Sequence, residues 1–129
     1  MEVFRCRLKL PERNQSGEWL ERAVGLPGAE LKGAHLLLPG YGENGPTLEV
    51  FSYGRMEERE LPMANHVGFT HIAFEVDDVE SVLELALEKG GSVLGEVTEK
   101  EIEGAGTIKF LYFRDPEGNI VELQSWGGD

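Results

Sequence analysis

The chain has a single cysteine, Cys6, and therefore no partner for an intramolecular disulfide. A disulfide-stapled extracellular scaffold is excluded, as is a closed structural zinc centre built on two or more thiolates. Positive charge is also scarce: 12 Lys and Arg stand against 24 Asp and Glu, a net charge of −12. Nucleic acids and anionic membrane surfaces require a basic footprint, so neither is an expected partner. The acidity reads first as solvated helix faces and second as attraction for a cationic ligand. No apolar run approaches the roughly 18 residues of a membrane span. Residues 1–14 are interspersed with charge and lack the apolar core of a signal peptide, so the cytoplasm is the expected compartment. There is no G-x-S-x-G nucleophile elbow. The spacing Gly40-x-Gly42-x-x-Gly45 matches a dinucleotide fingerprint, but Pro46 and an alternating strand follow where that motif needs a helix N-terminus. It is expected to be a hairpin loop.

What the chain does have is a repeated strand. Thr47-Leu48-Glu49-Val50-Phe51-Ser52-Tyr53-Gly54 and Ile120-Val121-Glu122-Leu123-Gln124-Ser125-Trp126-Gly127 each place a Glu in an alternating apolar run. Each then continues with Ser, an aromatic residue and Gly, and the two Glu lie 73 residues apart. An internal repeat sets the architecture. With 129 residues and 40% hydrophobic content, the expectation is one globular domain of two similar halves, residues 1–54 and 67–129. Residues 55–66, dense in charge and holding Pro62, form the connection.

Each half reads as strand, helix, then two or three strands. In the second, residues 70–76 form a strand, and Asp77 and Asp78 supply capping oxygens. Val79, Val82, Leu83, Ala86 and Leu87 make the stripe of an amphipathic helix. Gly90-Gly91 stops it. Residues 92–97 give a weaker strand, 99–106 an acidic loop, and 108–113 with 119–124 a hairpin turning on Asp115-Pro116-Glu117-Gly118. In the first half, residues 4–10 form a strand. Ser16 caps a short helix with Trp19, Leu20, Ala23 and Val24, and strands follow at 35–38 and 47–53.

Strand alternation assigns faces. Ile72, Phe74 and Val76, Leu48 and Val50, and Val121 and Leu123 form aliphatic faces that helices are expected to cover. On the opposite faces lie His71, Glu49 and Glu122, with Phe51, Tyr53 and Trp126 beside the carboxylates. One neutral imidazole and two carboxylates suit a borderline or harder divalent metal such as Zn, Ni, Mn, Fe or Co. The carboxylates equally suit a general base next to a carbonyl compound. Phe51, Tyr53, Phe113 and Trp126 are the aromatic candidates for shaping a small-molecule cavity.

At Thr70-His71-Ile72-Ala73-Phe74-Glu75-Val76-Asp77-Asp78, and more specifically at Tyr112-Phe113-Arg114-Asp115-Pro116-Glu117-Gly118-Asn119-Ile120-Val121-Glu122-Leu123, the sequence resembles the vicinal-oxygen-chelate superfamily of glyoxalases, bleomycin-resistance proteins and extradiol dioxygenases. The resemblance implies an α+β fold of two βαβββ modules whose mixed sheets curve around a cleft, and a homodimer. It implies metal ligands at Glu49, His71 and Glu122, and an activity nearest to glyoxalase I. That activity is a lyase or isomerase acting on a small carbonyl or thioester-related compound through an enediolate, with Glu122 shuttling the proton. Two other readings follow from the same resemblance: a bleomycin-resistance-like protein that sequesters a cationic small molecule without catalysis, and a methylmalonyl-CoA epimerase-like isomerase. The chain departs from the family in its first strand, Phe4-Arg5-Cys6-Arg7-Leu8-Lys9-Leu10, where a ligand-type side chain is usual. Either Arg5 faces the cavity and pairs with a carboxylate, or Cys6 does and offers a thiolate.

Overall fold

A computed structural model describes residues 2–127. The chain divides into two units, Met1–Arg59 and Glu60–Asp129. Each opens with a strand and a helix and continues with strands, the modular α+β plan that the repeat predicts.

In the first unit, β1 (Arg7–Ser16), β2 (Glu30–Leu37) and β3 (Thr47–Tyr53) form an antiparallel sheet in the order β1-β2-β3, with α1 (Glu18–Val24) between the first two. The first strand runs six residues beyond its expected end. Arg5 takes a left-handed φ of 57°, so extended backbone begins only after it. The pairing with β2 slips between Lys9 and Arg13, around Pro11, which has no N–H to donate to a ladder. Ser16 consequently ends β1 instead of capping α1; the helix starts from Gly17 with no side-chain cap. Gly25 closes it in the left-handed conformation, φ 75°, as its sequence position predicts. Leu20 of α1 is buried with Ala29 and Leu31, and Phe51 and Tyr53 of β3 pack against that cluster. The Gly40–Gly45 stretch lies in the β2–β3 hairpin connection, with a strand rather than a helix after it.

In the second unit, β4 (His71–Glu75), β5 (Ser92–Val93), β7 (Gly106–Arg114) and β8 (Ile120–Gly127) order as β4-β8-β7-β5, and β6 (Thr98–Ile102) pairs with β7. The sheet is mixed, with β4 parallel to β8 and the other pairs antiparallel. Helix α2 (Val79–Glu88) begins at Asp78, whose carboxylate accepts from the Ser81 N–H at 3.1 Å and from the Ser81 hydroxyl at 2.8 Å. It packs on β7 and β8. Val79, Ala86, Leu111, Phe113, Val121 and Leu123 are buried. Leu123 and Val79 are buried completely, each contributing about 1.5–3 kcal/mol of apolar transfer. The β7–β8 turn is the expected one. The Asp115 carboxylate accepts from the Glu117 and Asn119 N–H groups, both at 2.9 Å, and Gly118 takes φ 89°.

Two expectations are corrected here. The acidic segment after residue 98 is a strand, β6, not a loop; all five of its side chains are exposed, so it shows no apolar alternation. The strand expected over 92–97 shrinks to Ser92–Val93. Among the described residues, no helix is long and apolar enough to cross a membrane.

Candidate functional site

The register of the second sheet decides which side chains meet. Tyr112 lies opposite Glu122 and Phe110 opposite Gln124 on β7–β8, while Ala73 lies opposite Glu122 on β4–β8. Alternation then puts His71, Glu122, Gln124, Trp126, Tyr112 and Phe110 on one face. Ile72, Phe74, Leu123, Leu111 and Phe113 share the other, where α2 packs on β7 and β8 while Ile72 of β4 stays 45% exposed. The residues share faces as alternation requires, with two corrections to what those faces meet, the first being the exposed Ile72. Phe113 pairs with Val121 and is buried in the core, on the side away from His71 and Glu122.

On the His71 face a chain of hydrogen bonds runs along β8. The Trp126 indole N–H donates to Gln124 Oε1 at 2.6 Å, and Gln124 Nε2 donates to Glu122 Oε1 at 3.3 Å. Glu122 Oε2 stands 3.1 Å from His71 Nε2, and His71 Nδ1 stands 3.4 Å from the Thr70 hydroxyl. Each polar atom of the carboxylate is thus oriented by a neighbour, and the imidazole is held from both ring nitrogens. The ring of Tyr112 lies against His71 with centroids 4.6 Å apart, tilted by 36°. Burial, then the charge of Glu122, pushes the Tyr112 phenol above its ordinary value. Tyr112 therefore stays a neutral hydroxyl through the physiological range. The Glu122 side chain is only 11% exposed and that of His71 29%.

The first unit brings together a second pair. His35 and Glu49 are direct cross-strand partners on β2 and β3, with His35 Nε2 3.2 Å from Glu49 Oε1. Phe51 lies beside the His35 ring at 5.7 Å. The Glu49 side chain is 57% exposed. Phe51 and Tyr53 do share the Glu49 face, as alternation requires, but they pack against the α1 cluster. The aliphatic face predicted to lie under the helix carries Val50, which is exposed. In this unit the helix covers the aromatic face. At the first strand, Cys6 is buried and Arg5 is exposed, and both precede β1.

Three residues on or beside these faces escaped the sequence argument. His35 reads there only as the start of a strand. Tyr112 becomes visible only on counting back from the Asp115–Gly118 turn, which pairs it with Glu122. Arg114, one residue before the turn, is a buried cation whose guanidinium donates to the Gly118 carbonyl at 2.8 Å and to the Met63 sulfur at 3.3 Å.

The donor types of the second unit suit a divalent metal. An imidazole nitrogen and a carboxylate oxygen 3.1 Å apart have the separation of two ligands that each lie roughly 2.0–2.2 Å from one ion. Their number is two. Among the described residues, no group of three or more His, Cys, Asp or Glu side chains stands together as a complete metal cage. His71 and Glu122 thus bring together two donors of suitable type and no more.

The family model of the glyoxalase/bleomycin resistance protein/dioxygenase superfamily matches residues 19–123. A search of curated proteins finds no match. Among solved structures, the chain is similar to a glyoxalase family protein from Bacillus cereus, with TM-score 0.81 and 22% identity over 98% of this chain and 82% of that one. It is similar to a glyoxalase family protein from Enterococcus faecalis, with TM-score 0.60 and 22% identity over 95% and 80% of the two chains. A glyoxylase/bleomycin resistance protein/dioxygenase domain from Frankia sp. EAN1pec gives TM-score 0.51 and 18% identity over 98% and 82%. These likenesses concern the fold. With the family model spanning most of its length, and with the modular strand–helix–strand plan and the V-E-L strand in place, the chain belongs to the glyoxalase/bleomycin resistance protein/dioxygenase superfamily.

Proposed function

We propose that the protein is a metal-dependent lyase or isomerase of the glyoxalase I kind, acting on a small carbonyl or thioester-related compound. The observation that carries this reading is the His71–Glu122 pair, 3.1 Å apart on one sheet face, with the carboxylate almost wholly buried. His71 and Glu122 would hold a divalent metal of the Zn, Ni, Mn, Fe or Co class, and Glu49 is the third ligand by its repeat-equivalent position. Bound there, the metal would supply Lewis-acid polarisation of the substrate carbonyl.

The protein's own groups do the rest. Glu122 takes the proton from the carbon beside the carbonyl and returns it to the neighbouring carbon, which makes it the general base and then the general acid. Gln124 fixes Oε1 of that carboxylate, the oxygen turned away from His71. Tyr112, kept neutral, screens His71 from water on one side of its ring. On this reading the chain works as a cytoplasmic homodimer, which sedimentation of the purified protein tests.

The test of the activity is turnover of hemithioacetals before and after chelation. We expect turnover that disappears with the metal and returns on adding it back. Turnover that survives chelation contradicts the reading. Tight binding of a cationic glycopeptide by metal-free, inactive protein would replace it with the bleomycin-resistance one.

A further inference from the structure

Beside the His71–Glu122 pair lies a cavity of about 320 Å³, within the size range of small-ligand pockets. Tyr112 is common to both. Its ring contacts His71, and Tyr112 lines the cavity together with Phe110, whose ring meets that of Tyr112 edge-on at 6.4 Å. Leu94 continues the wall, with Met63 and Ala64 of the segment before β4. The polar groups of the lining are mostly turned to the backbone. The Leu94 and Gly95 N–H groups both donate to the Tyr112 carbonyl, and the Thr98 hydroxyl donates to the Glu96 carbonyl. Met63 is held in place by the buried Arg114 guanidinium, which donates to its sulfur at 3.3 Å while its other branch grips the Gly118 carbonyl. The cavity is therefore a fixed feature of the unit, built on the hairpin that carries Glu122.

We infer that this cavity receives an uncharged, apolar arm of the substrate, an aryl or short branched alkyl group attached to the carbonyl carbon. The inference deepens the lyase or isomerase reading and rests on it for the position of the reacting carbonyl. Two features of the wall set the chemistry. Aromatic and thioether surfaces favour a flat or branched hydrocarbon. Among the described residues, the only charged side chain in the lining is Glu96. With no cation to receive a carboxylate or phosphate, a peptide-thiol or phosphorylated arm would bring its negative charge against Glu96 and gain nothing in return. The arm that enters this cavity is thus a neutral hydrophobic substituent of the carbonyl compound.

The probes are benzohydroxamate and acetohydroxamate. They present the same two neighbouring oxygens and differ only in a phenyl or methyl arm. Titration calorimetry on the metal-loaded protein should show the phenyl compound binding about tenfold or more tightly, as expected for filling a preformed apolar pocket. The preference should fall toward unity in Ala64→Phe, which fills the cavity, and in Phe110→Ala, which removes its floor. Thermal melting confirms that each variant is folded. His71→Ala should weaken both probes alike. Equal affinity in the wild type, or a preference that survives both pocket variants, overturns the inference while leaving the catalytic reading intact. A pocket-sensitive preference that His71→Ala leaves untouched, with neither probe weakened, overturns the catalytic reading instead. Failure of both probes to bind at millimolar concentration overturns the two together.

Discussion

The two units each bring an imidazole against a carboxylate at nearly the same distance, 3.2 Å for His35–Glu49 and 3.1 Å for His71–Glu122, and each sets an aromatic ring beside the histidine. What separates them is the surroundings. Glu49 is 57% exposed and joined to a neighbour directly across a hairpin. Glu122 is 11% exposed, lies between the buried Val121 and Leu123, and is tied by Gln124 and Trp126 on one side and His71 on the other. An exposed pair of this kind contributes at most about 1 kcal/mol, because water screens it and competes for both partners. A carboxylate held in a water-poor, hydrogen-bonded setting keeps its orientation and acts at full electrostatic strength. Distance alone does not distinguish the two pairs; burial and the second layer of hydrogen bonds do.

Substitutions next to the two carboxylates should break this comparison first. Leu123→Ala, at a fully buried position, should cost about 2–5 kcal/mol in urea unfolding and loosen Glu122 with it. Val50→Ala, the exposed counterpart beside Glu49, should stay within about 0.5 kcal/mol. Equal costs would mean that the two strands are equally embedded.

The carboxylates themselves come next. Glu122→Gln should lower kcat by about 10²-fold or more, as loss of a positioned proton carrier does. Glu49→Gln should show mainly as weaker metal retention, with the smaller loss of kcat. Steady-state kinetics at saturating metal separates the two. A larger kcat loss for Glu49→Gln would exchange their roles.

The smallest effect is at the start of α2, the helix that backs the Glu122 strand. Hydrogen bonds from the Ser81 N–H, then from its hydroxyl, hold the Asp78 carboxyl below its ordinary value of 3.8. A carboxyl depressed in the folded state adds stability that is present above 3.8 and is lost as pH falls through the folded value. Asp78→Ala should therefore unfold at lower urea than wild type at pH 7, with the gap closing in acid. A gap independent of pH would assign the effect to something other than the carboxylate.

Much of the second unit is legible in its sequence because each signal there has a physical cause. The Val79–Leu87 stripe must bury one side, Asp78 has a free N–H to accept from, and the Asp115–Gly118 turn permits only a hairpin. Alternation in 70–76 and 120–126 then assigns His71 and Glu122 to one face. The first unit is less legible. Alternation says which residues share a face but not which face a helix will cover, so Phe51 and Tyr53 read as cavity aromatics and instead pack under Leu20. The run from Pro11 to Ser16 carries no apolar periodicity, so the second half of β1 is invisible, and the Thr98–Ile102 strand is hidden for the same reason. His35 reads as an ordinary strand residue until β2 and β3 are put in register. Arg5 and Cys6, the two alternatives for the first-strand position, both fall before the strand, because Arg5 adopts a left-handed conformation.

The most direct test of the account is the metal content of dialysed protein for wild type, His71→Ala and His35→Ala, measured side by side. The account predicts near-stoichiometric divalent metal in wild type, its loss in His71→Ala, and its retention in His35→Ala. Wild-type protein that takes up none of Zn, Ni, Mn, Fe or Co, or equal loss in the two variants, would contradict the claim that the buried His71–Glu122 pair is the working site.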